Sequence, residues 1–172
     1  MRDRLQQLLS GWDGKTTGPL KSAYETLHRQ PDFVDHLIDL SEHPDCERGA
    51  TWLLKHAFDQ GEPELSGERS KRHLAGMSGF GHWETRLHFL QYLEHLTIPD
   101  EAEATLQAFI LDAVEAENRF LRAWAYYGLA LHGERFPAHR REAADRLDKA
   151  MTQETAGSVK VRIRKALERI NP

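Results

Sequence analysis

Glu84, His88, Gln91 and His95 are spaced i, i+4, i+7 and i+11. That spacing puts all four on one face of one helix. A carboxylate and an imidazole one turn apart could share a metal ion. The His-Glu-x-x-His pattern of helical zinc sites is absent, however, and the single cysteine, Cys46, supplies no thiolate pair. A solvated polar stripe is the commoner meaning, and no metal or cofactor is expected. The stretch "GMSGFG", residues 76–81, has the look of a nucleophile elbow. It has Gly-x-Ser-Gly where Gly-x-Ser-x-Gly is needed, and no strand precedes it. It also lacks the Gly-Lys-Ser/Thr end of a phosphate loop, so it reads as a connector in which Gly76 stops a helix. "GERSKRHLAG", residues 67–76, gathers Arg69, Lys71, Arg72 and His73. It could meet phosphate, but such a run is more often a solvated helix face, and Glu68 offsets it. No activated nucleophile, metal set or carboxylate pair stands out. The sequence points away from catalysis, and a groove site near His88 is the only enzyme reading it leaves.

These residues need elements to hold them. A chain of 172 residues suits one domain and can bury roughly 70% of the surface its unfolded form exposes. Hydrophobic residues make up 40% and charged residues 29%, as in an ordinary globular protein. The net charge of −4 disfavours a general polyanion binder, though it leaves room for a local basic patch. The N-terminal stretch lacks an apolar core long enough for a signal peptide, and nothing approaches a membrane span. A soluble, cytoplasmic chain that does not engage membranes is expected.

The period along the chain is helical. Leu106, Phe109, Ile110, Ala113 and Val114 follow the i, i+3, i+4, i+7, i+8 pattern of one buried face. Asp32, Asp45, Ser66, Asp100 and Ser158 stand where N-caps are expected, and prolines 31, 44, 99 and 137 sit at or before helix starts. No period-2 segment bounded by hairpin turns occurs. The punctuation predicts four helix pairs: 32–43 with 46–60, 66–76 with 82–96, 101–115 with 117–133, and 138–153 with 158–170. Two shorter helices, 2–10 and 19–30, form an N-terminal cap over residues 1–30, and repeats fill 31–172.

The second members of the pairs superimpose at offsets of roughly 36–38 residues. One column runs Leu93, Leu129, Leu167, with Leu53 over Leu90. Another runs Arg86, Arg122, Lys160, broken by Gly49 in the first repeat. The spacing is that of an α-solenoid, in which each pair covers its neighbour's apolar face. It would explain why "RFLRAWAYYGLALHG", residues 119–133, is apolar nearly all round. The Arg/Lys column reads best as structural, its stems lying on apolar surface and its heads on acidic groups.

"SVKVRIRKALERI" resembles the second helix of a HEAT repeat, and "NRFLRAWAYYGLALHG" and "CERGATWLLKHAFDQG" resemble variants of it. Residues 46–170 are similar to small bacterial HEAT-like proteins. Gly49 departs from the pattern where Arg is expected, and 64–76 is unusually polar for a first helix. The resemblance implies an all-α, short right-handed α-solenoid of about four HEAT-like, armadillo-type helix pairs. HEAT-like folds also include DNA glycosylases for alkylated bases, but no catalytic set of theirs can be matched here.

At the repeat offsets, Glu84, His88, Gln91 and His95 correspond to Phe120, Trp124, Tyr127 and Leu131, and then to Ser158, Arg162, Lys165 and Arg169. The first repeat supplies Glu47, Thr51, Leu54 and Phe58. In HEAT-like stacks the second helices line the concave side. The expected binding residues are therefore His88, Gln91, Trp124, Tyr127, Arg162, Lys165 and Arg169, with Trp124 partly open as a partner's anchor. The plainer alternative makes Trp124 and Tyr127 core. The function expected is a non-catalytic scaffold for an unidentified protein or peptide. The runner-up is nucleic-acid binding through Arg162, Lys165, Arg169 and the Arg69–Arg72 cluster.

Overall fold

The computed structural model describes residues 1–61, 65 and 67–171. Those residues are all-α: ten α-helices and four short 3-10 turns, with no strand beyond one isolated bridge between Leu65 and Leu96. No helix among them is long and apolar enough to cross a membrane. The chain forms two compact units, Met1–Thr97 and Ile98–Pro172.

The first unit holds α1 (Arg2–Ser10), α2 (Gly18–Leu27), α3 (Phe33–Ser41), α4 (Glu47–Asp59), α5 (Gly67–Gly76) and α6 (Trp83–Tyr92). Its core includes Leu5, Leu9, Phe33, Leu37, Ile38, Leu53, Phe89 and Tyr92, each no more than 2% exposed. Helix α4 is central and packs on α1, α2, α3 and α6. Gly49 explains its own departure from the basic column. A Cβ there would lie 2.7 Å from Leu9 Cδ2, so the missing side chain is the space into which α1 packs.

The polar segment before α6 is helical after all, from Gly67 to Gly76. It buries Ser70, His73 and Leu74, an i, i+3, i+4 set in which two of three members are polar. Each polar member has a partner: the Ser70 hydroxyl donates to Leu65 O and accepts from Thr97 N, and His73 Nε2 meets the Tyr92 hydroxyl at 2.7 Å. On the other side Arg69 and Arg72 reach Asp35 of α3.

The helix starts differ from the sequence-based expectation. Asp32 precedes α3 without a side-chain cap bond, Cys46 rather than Asp45 precedes α4, and Ala156 rather than Ser158 precedes α10. Asp100 opens a 3-10 turn. Ser66 lies outside the described residues. The side chains that do cap are His82, which accepts from Glu84 N, and Asn118, which accepts from Phe120 N and Leu121 N. Glu47 adds a cap from a neighbouring helix: its two carboxylate oxygens accept from Gly81 N and His82 N at 3.0 and 2.8 Å. A buried anion thereby meets the positive end of α6.

The second unit holds α7 (Glu103–Val114), α8 (Arg119–Arg135), α9 (Arg140–Gln153) and α10 (Gly157–Ile170). Helix α8 packs on α7, α9 and α10, which is why its sequence is apolar nearly all round. Leu129 is 5% exposed and lines a cleft of about 130 Å³ with Leu111, Val114, Tyr126 and Ala150 of α7, α8 and α9. Gly133 is the tightest point. A Cβ there would lie 2.9 Å from Ile170 Cδ1, 3.2 Å from the Arg140 Cα and 3.3 Å from Ala143 Cβ.

Backbone cannot yield as a flexible side-chain end can. Gly133→Ala should therefore cost about 1–3 kcal/mol despite gaining up to about 1 kcal/mol of helix propensity. Gly157→Ala, with nothing within 4 Å of its Cβ, should not destabilise. Urea denaturation of the two variants checks this, and equal effects would contradict the packing described.

Candidate functional site

In the second unit the aromatic and basic parts of the expected stripe meet. Asn118 starts α8, and Arg122 is fixed one turn later. Arg122 donates to Glu154 at 3.1 Å and to the carbonyls of Ala116 and Glu117 at 2.9 Å each. The Arg122 member of the basic column is thus structural. Burial works against the charge of Glu154, but the N–H groups of Ala156 and Thr155 and the Arg122 guanidinium outweigh it and hold its carboxyl below the usual range.

Trp124 and Tyr127 follow on one face of α8, with rings 5.8 Å apart and nearly perpendicular at 83°. Both are half-buried. Helix α10 lays Arg162 into the corner between them, its guanidinium carbon 3.7 Å from the Trp124 ring centre and 5.7 Å from that of Tyr127. Seven residues along, Arg169 lies 5.6 Å from the Tyr127 ring centre. It donates to the Tyr127 hydroxyl at 2.8 Å and to Glu134 Oε2 at 2.6 Å. Partial burial opposes the Arg169 charge, but those two bonds prevail and hold its pKa above the ordinary value. Lys165 is exposed between the two arginines along α10. At one end of the face Phe120 is 51% exposed beneath the Arg119 guanidinium, and Val161 of α10 is 50% exposed.

A guanidinium laid on an indole is attracted to the ring face and has its plane held by it. Helix α10 carries Lys160, Arg162, Arg164, Lys165 and Arg169 against the single acid Glu168. A basic helix lies over an aromatic corner in a chain that is acidic overall.

His88 and Gln91 belong to the first unit, on α6. Gln91 is half-buried. His88 Nδ1 lies 3.2 Å from the Thr51 hydroxyl, which itself donates to Glu47 O at 2.8 Å. The hydroxyl's proton is therefore spent, and His88 donates from Nδ1. Phe58 and His95 stack at 4.8 Å and 4°, and Glu84 accepts from Arg48 Nε at 2.7 Å. Glu84 and His88, weighed above as a metal pair, are held by different partners on α4. Among the described residues no group of three His, Cys, Asp or Glu side chains could hold a metal. In the Arg69–Arg72 cluster, Arg69 and Arg72 both pair with Asp35, and Arg72 also approaches Asp39. In 76–81, Met77 and Phe80 are buried and Ser78 is exposed on a 3-10 turn. The buried Cys46 thiol is pushed up by desolvation, away from reactivity.

Sequence reasoning missed Glu134, the anion that holds Arg169. Its signal was available, since Glu134 falls seven residues after Tyr127 and so on the same face. It also missed Glu47 as a cap and Tyr92 as the partner of His73, for which no local spacing gives warning.

Comparison with protein families, characterised proteins and solved structures finds no match to this chain.

Burial drives both His73 and His88 down to about 3 from 6.5, helped by Arg72 for the first and by Lys55 and Arg48 for the second. Both stay neutral when folded and take a proton when unfolded below 6.5. Their contribution is intact above 6.5 and is lost as pH falls from there toward 3. Stability should drop between about pH 7 and about pH 4.5 by up to about 2–3 kcal/mol per histidine. His88→Gln, whose amide can still donate to Thr51, should shrink that drop. Urea denaturation at both pH values checks this, and an unchanged drop would contradict a neutral His88.

Proposed function

We propose that this chain is a non-catalytic interaction module whose α8–α10 face binds an acidic segment of another protein. The observation that carries this reading is the Trp124–Tyr127 corner with Arg162 laid across it. It combines three residue types that anchor protein interfaces, and it is half open to solvent. Charge complementarity supplies the partner's character, because α10 is strongly basic while the chain carries −4. Exposed Phe120 and Val161 extend the face with apolar surface.

The proposal includes a HEAT-like origin for the helix pairs. What supports it is the register of equivalent helices within each unit. Arg48 with Glu84 and Thr51 with His88 join α4 to α6 side by side and in the same direction, and Phe58 with His95 continues the register into the 3-10 turn after α6. Trp124 with Arg162 and Gly133 with Ile170 do the same for α8 and α10. Nucleic acid is the weaker reading, since one of its two basic clusters is already bound to Asp35.

Selection of peptides from a random display library on the immobilised full chain tests the proposal. Acidic peptides should be enriched. Trp124→Ala should weaken the best of them by about 2 kcal/mol or more while leaving the chain folded. If Trp124→Ala instead unfolds the chain, Trp124 is core and the face is misassigned.

A further inference from the structure

Helices α1 and α2 each lean on α4, and a cleft of about 420 Å³ opens between them. From α1 it is lined by Arg4, Leu5, Gln7 and Leu8, and from α2 by a face running from Pro19 to Leu27. Leu5 and Leu9 are spent on the core, at 0% and 2% exposed. Leu8 is only half-buried, and the surface it keeps belongs to the cleft. Ala23 stands likewise on α2, beside the buried Leu20, Tyr24 and Leu27. The connector between the helices is braced by its own bonds. Asp13 Oδ1 accepts from Lys15 N and Thr16 N at 2.8 and 2.9 Å, and Trp12 Nε1 donates to Thr16 O at 2.7 Å. The cleft is therefore preformed, and filling it orders little of the chain.

Its volume falls in the range of small-molecule sites. The polar part of the lining has one sign. Arg4 is exposed and is the one charged residue there. Among the described residues no hydrogen bond or ion pair claims its guanidinium. Gln7 and Ser22 add an amide and a hydroxyl able to donate, while Thr26 spends its proton on Ser22 O at 2.8 Å. At 1.5 Å per residue the α2 face is roughly 12 Å long from Pro19 to Leu27, so the slot suits a narrow, extended body. We propose that the α1–α2 cleft binds a medium-chain aliphatic carboxylate, its chain along Leu8 and Ala23 and its head on Arg4. The site lies in the first unit and does not rest on the reading of the α8–α10 face.

Isothermal titration calorimetry of the full chain with decanoate, octanoate and decylamine tests this, each kept below its micelle concentration. Decanoate should occupy a single site with a dissociation constant below about 1 mM. It should bind roughly tenfold more tightly than octanoate, which lacks two methylenes, and roughly tenfold more tightly than decylammonium. Arg4→Gln should bring decanoate and decylammonium to within about threefold of each other. Leu8→Trp, which fills the cleft, should abolish binding of both and leave the circular dichroism spectrum unchanged. Equal binding of decanoate and decylammonium by the parent chain overturns the carboxylate head, and decanoate binding unaltered by Leu8→Trp overturns the site. Absence of decanoate binding overturns both, and a dimer lost in Leu8→Trp would then give the cleft to a second copy of the chain.

Discussion

Helix α6 lies beside α4, and α10 beside α8, each pair running the same way, so that residues at a nearly constant sequence offset touch. Within the first unit the contacts between α4 and α6 fall 36 and 37 positions apart. Within the second, Trp124 meets Arg162 and Gly133 meets Ile170 at similar offsets. Much else follows from this register. It aligns Glu47 with the first amides of α6, so that a buried carboxylate caps a neighbouring helix. It brings the aromatic pair of α8 under the basic face of α10. A shift of one turn would separate each of these pairs and leave a buried acid without donors, at a cost of several kcal/mol.

The two units solve burial by different means. In the second, α8 is covered on three sides by apolar neighbours, and the small residue Gly133 sets how closely α9 and α10 approach. In the first, part of the core is polar. Ser70, His73, Thr51 and Glu47 are buried, and each is hydrogen-bonded to another element or along its own helix. Satisfied polar groups of this kind add little net stability, but they penalise any arrangement in which their partners are absent. Ser70 and His73 fix the position of α5, which apolar burial alone would hold weakly. The two neutral histidines add an acid-sensitive element to the same unit.

Helical class and the helix positions were legible because they depend on local periodicity and on glycine and proline punctuation. The offsets at which α4 meets α6 and α8 meets α10 lie close to the spacing of leucines along the sequence. Caps were not. An N-cap is chosen by the φ/ψ of one residue and by which N–H groups lack partners: Cys46 and Ala156, not Asp45 and Ser158, precede α4 and α10, and α6, for which the sequence offered no candidate, is capped by His82 and Glu47. The helix over 67–76 was expected, but the face it buries was not legible, because its inward residues are polar and several of their partners, Tyr92 and Thr97 among them, lie far along the chain. At the candidate site the aromatic corner and its cations could be read from spacing. The pairing of Arg169 with Glu134 was missed because it depends on the lateral contact of two helices.

The stack of Arg162 on Trp124 joins the fold to the proposed site, and a double-mutant cycle measures it most directly. Trp124→Ala, Arg162→Ala and the double variant would be compared by urea denaturation. The structure predicts a coupling of about 0.5–2 kcal/mol between the two side chains. Additivity to within about 0.3 kcal/mol would mean that the two side chains do not meet in solution, and would contradict the register on which the second unit and the site are built.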